Sequence, residues 1–151
     1  MSSCSLKPVS FRVPGKPLPQ PRVKFTSAGP FGRAYTPDRV MGQSLKAYKA
    51  AVKQAAIDAG LQPCGCAKAI RIEVAIEPAA SLLNSKGRLL PKSRTHPTGS
   101  RDGDVDNYSK AVMDGLEVAY INDSQVVDLT VSKRWALDGP EGCDVEICCL
   151  K

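Results

Sequence analysis

Residues 104 to 133 read DVDNYSKAVMDGLEVAYINDSQVVDLTVSK, and the period of the apolar positions changes part-way along. Tyr108, Val112, Leu116 and Ala119 fall on one stripe at helical spacing, which predicts a helix over DNYSKAVMDGLEVAY. After the polar break IND, Val127, Leu129 and Val131 alternate with polar residues, which predicts a strand. Upstream, AIRIEVAIE places Ile70, Ile72, Val74 and Ile76 on one face and Arg71, Glu73 and Glu77 on the other, a half-buried strand. Strand, helix and strand therefore follow one another around this stretch.

The rest of the chain extends that order. VSFRVPG alternates Val9, Phe11 and Val13, a short strand. Four prolines then fall within residues 14 to 21 and exclude a central strand. TPDRVMGQSLKAYKAAVKQAAIDAG predicts the longest helix, with Thr36 as cap, Pro37 in the first turn and Asp38 suiting the dipole. Leu45, Tyr48, Val52, Ala55 or Ala56, and Ala59 form its buried stripe, Gly60 stops it, and Gly42 blurs its beginning. Residues 78 to 101 lack periodicity, as a functional or disordered loop does. DGPEG signals a turn, and CDVEICCLK predicts a last strand paired in a hairpin with the one before it. The expected fold class is α+β: a small mixed sheet covered by two main helices, one domain over residues 1–151.

Composition narrows the function classes. Hydrophobic residues make up 42% and charged residues 24%, which is globular. Lys plus Arg number 21 against 15 Asp plus Glu, so a polyanion is the favoured partner. MSSCSLKPVSF carries no apolar signal segment, and no run approaches a membrane span, so a cytoplasmic protein is expected. Neither Cys64-x-Cys66 nor the adjacent Cys148 and Cys149 has zinc-knuckle spacing. With Cys4 and Cys143 they read as small reduced core or surface residues of a cytosolic protein. A metal cluster gathered from distant cysteines is the alternative.

Within this basic chain the carboxylates of Asp104 and Asp106 stand two residues apart. In an extended segment such residues face one side, and two anions that close need a cation between them. Oxygen ligands suit Mg²⁺ or Mn²⁺ rather than Zn²⁺. Asp106 or Asn107 is a natural N-cap for the helix, and Lys110 follows one turn after Asp106 on the same face. Metal, ammonium and helix N-terminus together suit a phosphate and its hydrolysis. Asp123, in the turn after the helix, and Asp128 offer further carboxylates, and Asp123 meets the helix N-terminus if the connection folds back. A solvated turn with a helix cap is the alternative for Asp104 and Asp106.

The whole string resembles the signature of the RusA family of Holliday-junction resolvases. That signature is D-x-D-N-x-x-K, then D-x-L, then D-x-Q-V, met here by Asp104, Asp106, Asn107 and Lys110, by Asp114 and Leu116, and by Asp123, Gln125 and Val126. Gly15, Pro17 and Arg22, followed by Tyr35-Thr36-Pro37, match its N-terminal half. The resemblance covers about residues 9 to 135. It implies a RusA-like fold and a homodimeric, Mg²⁺-dependent endonuclease, with Mn²⁺ able to substitute. Such an enzyme cuts two opposed strands of branched DNA, a four-way junction, and leaves ligatable nicks. It implies Asp104, Asp106 and Asp123 as metal-binding and catalytic residues and Lys110 as catalytic, with Asp114, Gln125 and Asp128 in support. The chain departs from the signature at Gly103, where many members have proline, at Asn122, where many have a second acid, and in the additional Asp102 and the cysteine-bearing loop of residues 62–67.

Lys86, Arg88, Lys92, Arg94 and Arg101 lie between Ser81 and Arg101 without an acidic residue, and with Lys16, Arg22, Lys24 and Lys133 they are the expected DNA-binding cations. Lys133 and Arg134 end a strand whose other end approaches Asp123, where they grip phosphate or are solvated. His96 reads as an exposed loop residue, and Trp135 and Phe25 as packing residues. Two other classes fit the same residues: a general Mg²⁺ nuclease acting on flaps or RNA, and a non-catalytic dimer that binds branched DNA.

Overall fold

Two strands with alternating side chains form the centre of the site-bearing half. β6 (Lys68–Ile76) and β7 (Val126–Trp135) pair in parallel, with Ile72 opposite Val131. A parallel pair requires a long crossover, and α2 (Val105–Gly115) lies within it. The computed structural model describes residues 4–27 and 30–151. In it β1 (Val9–Pro14) and β8 (Gly142–Cys149) complete a four-stranded mixed sheet in the order β1-β8-β6-β7.

The expected hairpin between β7 and β8 does not form, because β6 lies between them and β8 runs antiparallel to both β1 and β6. Burial explains the choice. Cys143, Val145 and Ile147 of β8 are all buried and fill a central position, whereas Val127 and Leu129 of β7 are 65% and 40% exposed and suit an edge.

α1 (Leu45–Asp58) starts at Leu45 rather than after Thr36. Residues Arg39–Val40 (β4) and Gln43–Ser44 (β5) make a tight hairpin first, turned by Met41 and Gly42 at φ of 51° and 78°. Ser44 is the N-cap, its hydroxyl accepting from the Ala47 amide at 3.2 Å. Asp38 does serve this end: its carboxylate accepts from the Lys46 amide and the Ser44 hydroxyl, and these bonds hold its carboxyl below the usual range. At the other end Gly60 (φ 84°) donates to Ile57 O and Leu61 to Ala56 O, which closes the helix in a Schellman turn.

Both helices pack on one face of the sheet. Leu45, Tyr48, Val52 and Ala56 of α1 meet Tyr108, Ala111 and Val112 of α2 over Val13, Ile72, Val74 and Val145. The helices approach closely at Gly115, where an added Cβ would stand 2.6 Å from Val52 Cβ. The proline-rich segment packs against this layer, with Leu18 buried and the Gln20 amide donating to Asn107 O at 2.8 Å. A short hairpin of Lys24–Thr26 (β2) and Arg33–Tyr35 (β3) follows it, and there Phe25 is 80% exposed rather than packed. The opposite face of the sheet is charged, with Arg12 paired to Asp144 and Arg134 to Glu73. Among the described residues no helix is long and apolar enough to cross a membrane.

Candidate active site

The start of α2 is built from the loop before it. Asp104, not Asp106 or Asn107, occupies the N-cap position, in extended backbone and with no side-chain capping bond. Its carbonyl accepts the first helical bond from Tyr108 N. The Tyr108 hydroxyl donates to Asp102 O at 2.9 Å, and Lys133 Nζ donates to Gly103 O at 2.6 Å. Asp102 in turn accepts from the Gly99 amide and pairs with Arg94 at 3.3 Å. The otherwise unplaced Asp102 is thus a structural brace, and Lys133 ties the loop to β7. Asp104, Asp106 and Lys110 project from this brace, and all three are exposed.

Asp123 is placed by a second device. It opens a 3-10 turn, Asp123–Gln125, capped by Asn122, whose side chain accepts from Ser124 N at 2.9 Å. Gln125 Oε1 reaches back to the amides of Asn122 and Ile121, at 2.9 and 2.8 Å, which completes a capping box. At the position where the resemblance leads one to expect a second acid in many members, this chain has the cap. The motif N-x-x-Q is legible in the sequence, and its meaning is a fixed position for Asp123.

Lys110 and Asp123 line one cavity of about 570 Å³, with Ser109, Met113, Asp114, Glu117 and Tyr120 among its walls. Asp106 lies one turn of α2 before Lys110 on the same helix face. Asp123, beyond the connection that follows α2, thus shares the lining of a cavity with Lys110. The connection does not gather all three aspartates tightly: among the described residues, the group of three or more metal-ligating side chains with every ligand atom within 4.8 Å of the others is made of cysteines. Two neighbouring acids are already paired with cations, Asp114 with Lys49 at 2.7 Å and Asp102 with Arg94.

A profile of the family described as endodeoxyribonuclease RusA matches residues 14–148. The chain belongs to the RusA family. It is therefore an endodeoxyribonuclease, a hydrolase of phosphodiester bonds. RusA nucleases work with divalent metal ions, and carboxylate oxygens are the kind of hard donor that such ions take. A search of curated proteins found no significant match.

The remaining predicted cations divide into two groups. Lys86, Arg88, Lys92 and Arg101 are exposed on an ordered loop, as are Arg22 and Lys24 near β2. The loop holds itself in place: Asn84 Oδ1 accepts from the amides of Lys86 and Arg88, and Trp135 Nε1 donates to Arg94 O at 2.9 Å. Lys133 is engaged with Gly103 O, and Lys16 is half-buried in a cavity wall beside Arg101 and Asp102. Arg94 lies over the Trp135 ring, 6.0 Å from its centroid, as well as against Asp102. Trp135 is buried, and His96 is exposed beside Thr95. Asp128 pairs with Ala69 in β6 and is exposed on the edge strand.

Proposed function

We propose that this RusA-family nuclease resolves four-way DNA junctions in the cytoplasm, as a homodimer that makes paired symmetric nicks with Mg²⁺, for which Mn²⁺ can substitute. The observation that carries the site is the shared cavity of Lys110 and Asp123, with Asp106 one helical turn along the same face. Asp104, Asp106 and Asp123 would hold the metal, which supplies an activated water and offsets charge on the scissile phosphate. Lys110 places an ammonium where that phosphate gains charge, beside the N-terminus of α2. Asn122 and Gln125 hold Asp123 at its station, and Tyr108 and Lys133 hold the loop that presents Asp104. The exposed loop from Lys86 to Arg101 then meets backbone phosphates flanking the cut.

The test compares wild type with Asp106→Asn on four-way junction, plain duplex and single strand, with Mg²⁺ and with chelator. Metal-dependent cleavage restricted to the junction, and lost in Asp106→Asn, is the expected result. Equal cutting of all three substrates would replace junction resolution with general nuclease activity. Junction binding without cutting by wild type in Mg²⁺ would make the chain a binder.

A further inference from the structure

At the end of the sheet opposite the loop of Gly103, four cysteines from three distant parts of the chain converge. Cys4 comes from the segment before β1, Cys64 and Cys66 flank Gly65 before β6, and Cys149 ends β8. Their sulfur atoms all lie within 4.8 Å of one another. The Cys64 and Cys149 sulfurs are 3.6 Å apart, and those of Cys4 and Cys66 are 3.2 Å apart. A tetrahedron of sulfurs around zinc, with Zn–S near 2.3 Å, has edges of about 3.8 Å. The four sulfurs are thus close enough together to surround one such ion.

A second observation concerns charge. Lys68 is a buried ammonium, 2% exposed, and its hydrogen-bond partners are the sulfurs of Cys64 and Cys149. No carboxylate forms an ion pair with it among the described residues. A buried cation of this kind requires anionic partners, so it favours thiolates over thiols. Several thiolates in contact repel one another, however, and a single ammonium does not balance four. A tetrathiolate around a dication carries a net charge of −2, which N–H···S bonds from a neighbouring lysine partly offset.

We propose that Cys4, Cys64, Cys66 and Cys149 hold a structural Zn²⁺. Four soft sulfur donors and no oxygen donor select zinc over Mg²⁺ or Mn²⁺, and a closed set of four protein ligands marks a structural rather than a catalytic site. Cys148, next in sequence to Cys149, pairs with Ala69 on the other face of β8 and stays outside the set, and Cys143 is buried in the core. Two of the ligands, Cys4 and Cys149, fall outside the residues 14–148 matched by the family profile, so the site is a feature of this chain beyond the shared nuclease core.

The zinc would also act on the turn that carries Asp123. Gln125 Nε2 donates to the carbonyls of Cys64 and Cys66, at 2.7 and 2.8 Å, while its Oε1 holds the amides of Ile121 and Asn122. Cys64 also bridges to Tyr120 in a parallel backbone contact. The C-x-C loop, fixed by metal, is thereby the wall against which the Asp123 turn is held. The metal site does not depend on the nuclease reading; only this consequence for Asp123 does.

The test measures metal in the purified, untagged chain grown with added zinc. Elemental analysis and native mass spectrometry should find one zinc per chain, and replacement by Co²⁺ should give the intense visible bands of tetrahedral thiolate cobalt. Cys4→Ser, which alters a segment outside the sheet, and Cys66→Ser should lose the zinc and melt at lower temperature, while Cys148→Ser keeps both properties. Wild type with no stoichiometric zinc and no thiolate-cobalt bands overturns the site, as does a mass two hydrogens lower, which would mark a disulfide instead. Equal zinc loss in Cys148→Ser and Cys4→Ser would overturn the ligand assignment. Nuclease activity is read separately, so a zinc-loaded but inactive chain counts against the proposed function alone.

Discussion

Gly103 has a φ of 75°, a conformation closed to proline, whose ring fixes φ near −65°. The departure from the family signature at this position is therefore a different backbone path into the same helix. An added Cβ would also stand 2.7 Å from the Tyr108 ring. Gly103→Ala should destabilise the fold by about 1–3 kcal/mol through left-handed strain and crowding of that ring, read as a lower denaturation midpoint. Tyr108 itself is held protonated: burial pushes its hydroxyl up to about 12, and burial does the same for Tyr120, whose hydroxyl donates to Met113 O. The unfolded chain loses these protons near pH 10, so above that pH it binds fewer protons than the native state, and stability must fall as pH rises from about 10 to 12. Tyrosinate absorbance of Tyr108 and Tyr120 should appear together with unfolding in an alkaline titration; ionisation of both with the circular dichroism unchanged would contradict this. Asp104 and Asp106 make the opposite case, open to solvent at the start of α2. Asp104→Asn or Asp106→Asn should abolish cleavage and leave junction binding equal or tighter, because each removes repulsion of phosphate along with a metal ligand. Gel-shift affinity falling in step with cleavage would make these aspartates structural.

Among the elements, the basic loop from Lys86 to Arg101 is held in place yet presents its cations outward. Neutralising Lys86, Arg88 and Lys92 together should weaken junction binding and flatten its salt dependence by roughly 0.9 for each phosphate no longer neutralised. A slope unchanged across a salt titration would leave the loop a solvated bystander. Arg94 is a poorer choice for that triple change, because its pairing with Asp102 and its stacking on Trp135 mix stability into the result. Elements with a strong period were legible in the sequence: β6 from Ile70, Ile72 and Val74, and α2 from Tyr108, Val112 and Leu116. The beginning of α1 was not, because Thr36-Pro37-Asp38 carries the same local signals as a cap, and only the positive φ of Met41 and Gly42 interrupts it. Strand order was hidden for another reason. DGPEG is a turn in either topology, and the choice between neighbours of β8 is made by total burial of Cys143, Val145 and Ile147. The motif residues of the site were legible as types and spacings. The cysteine cluster was not, since its members come from distant parts of the chain except for the C-x-C pair, and a tertiary arrangement has no local period.

Each chain carries one proposed catalytic set, Asp104, Asp106, Lys110 and Asp123, whereas a four-way junction resolved into two ligatable duplexes must be cut at two symmetry-related points. A two-fold dimer presents two such clusters to a substrate with the same symmetry. The chain leaves a surface available for it: β7 is a sheet edge, with exposed Val127 and Leu129, and Ile121 just before it is 75% exposed. Unpaired edges with apolar side chains are surfaces that proteins cover. Sedimentation should therefore show a dimer at concentrations where cleavage proceeds, and a monomer there would reject the paired mechanism. Mixing distinguishes a dimer that matters from one that merely forms. Wild type co-refolded with excess Asp106→Asn places most active chains beside an inactive partner. Each such heterodimer has one working cluster, so single-nicked junctions should accumulate while fully resolved products fall. Resolved products that decline only in proportion to the wild-type chains, with no nicked intermediate, would mean that one chain makes both cuts in succession, and the symmetry argument would then fail.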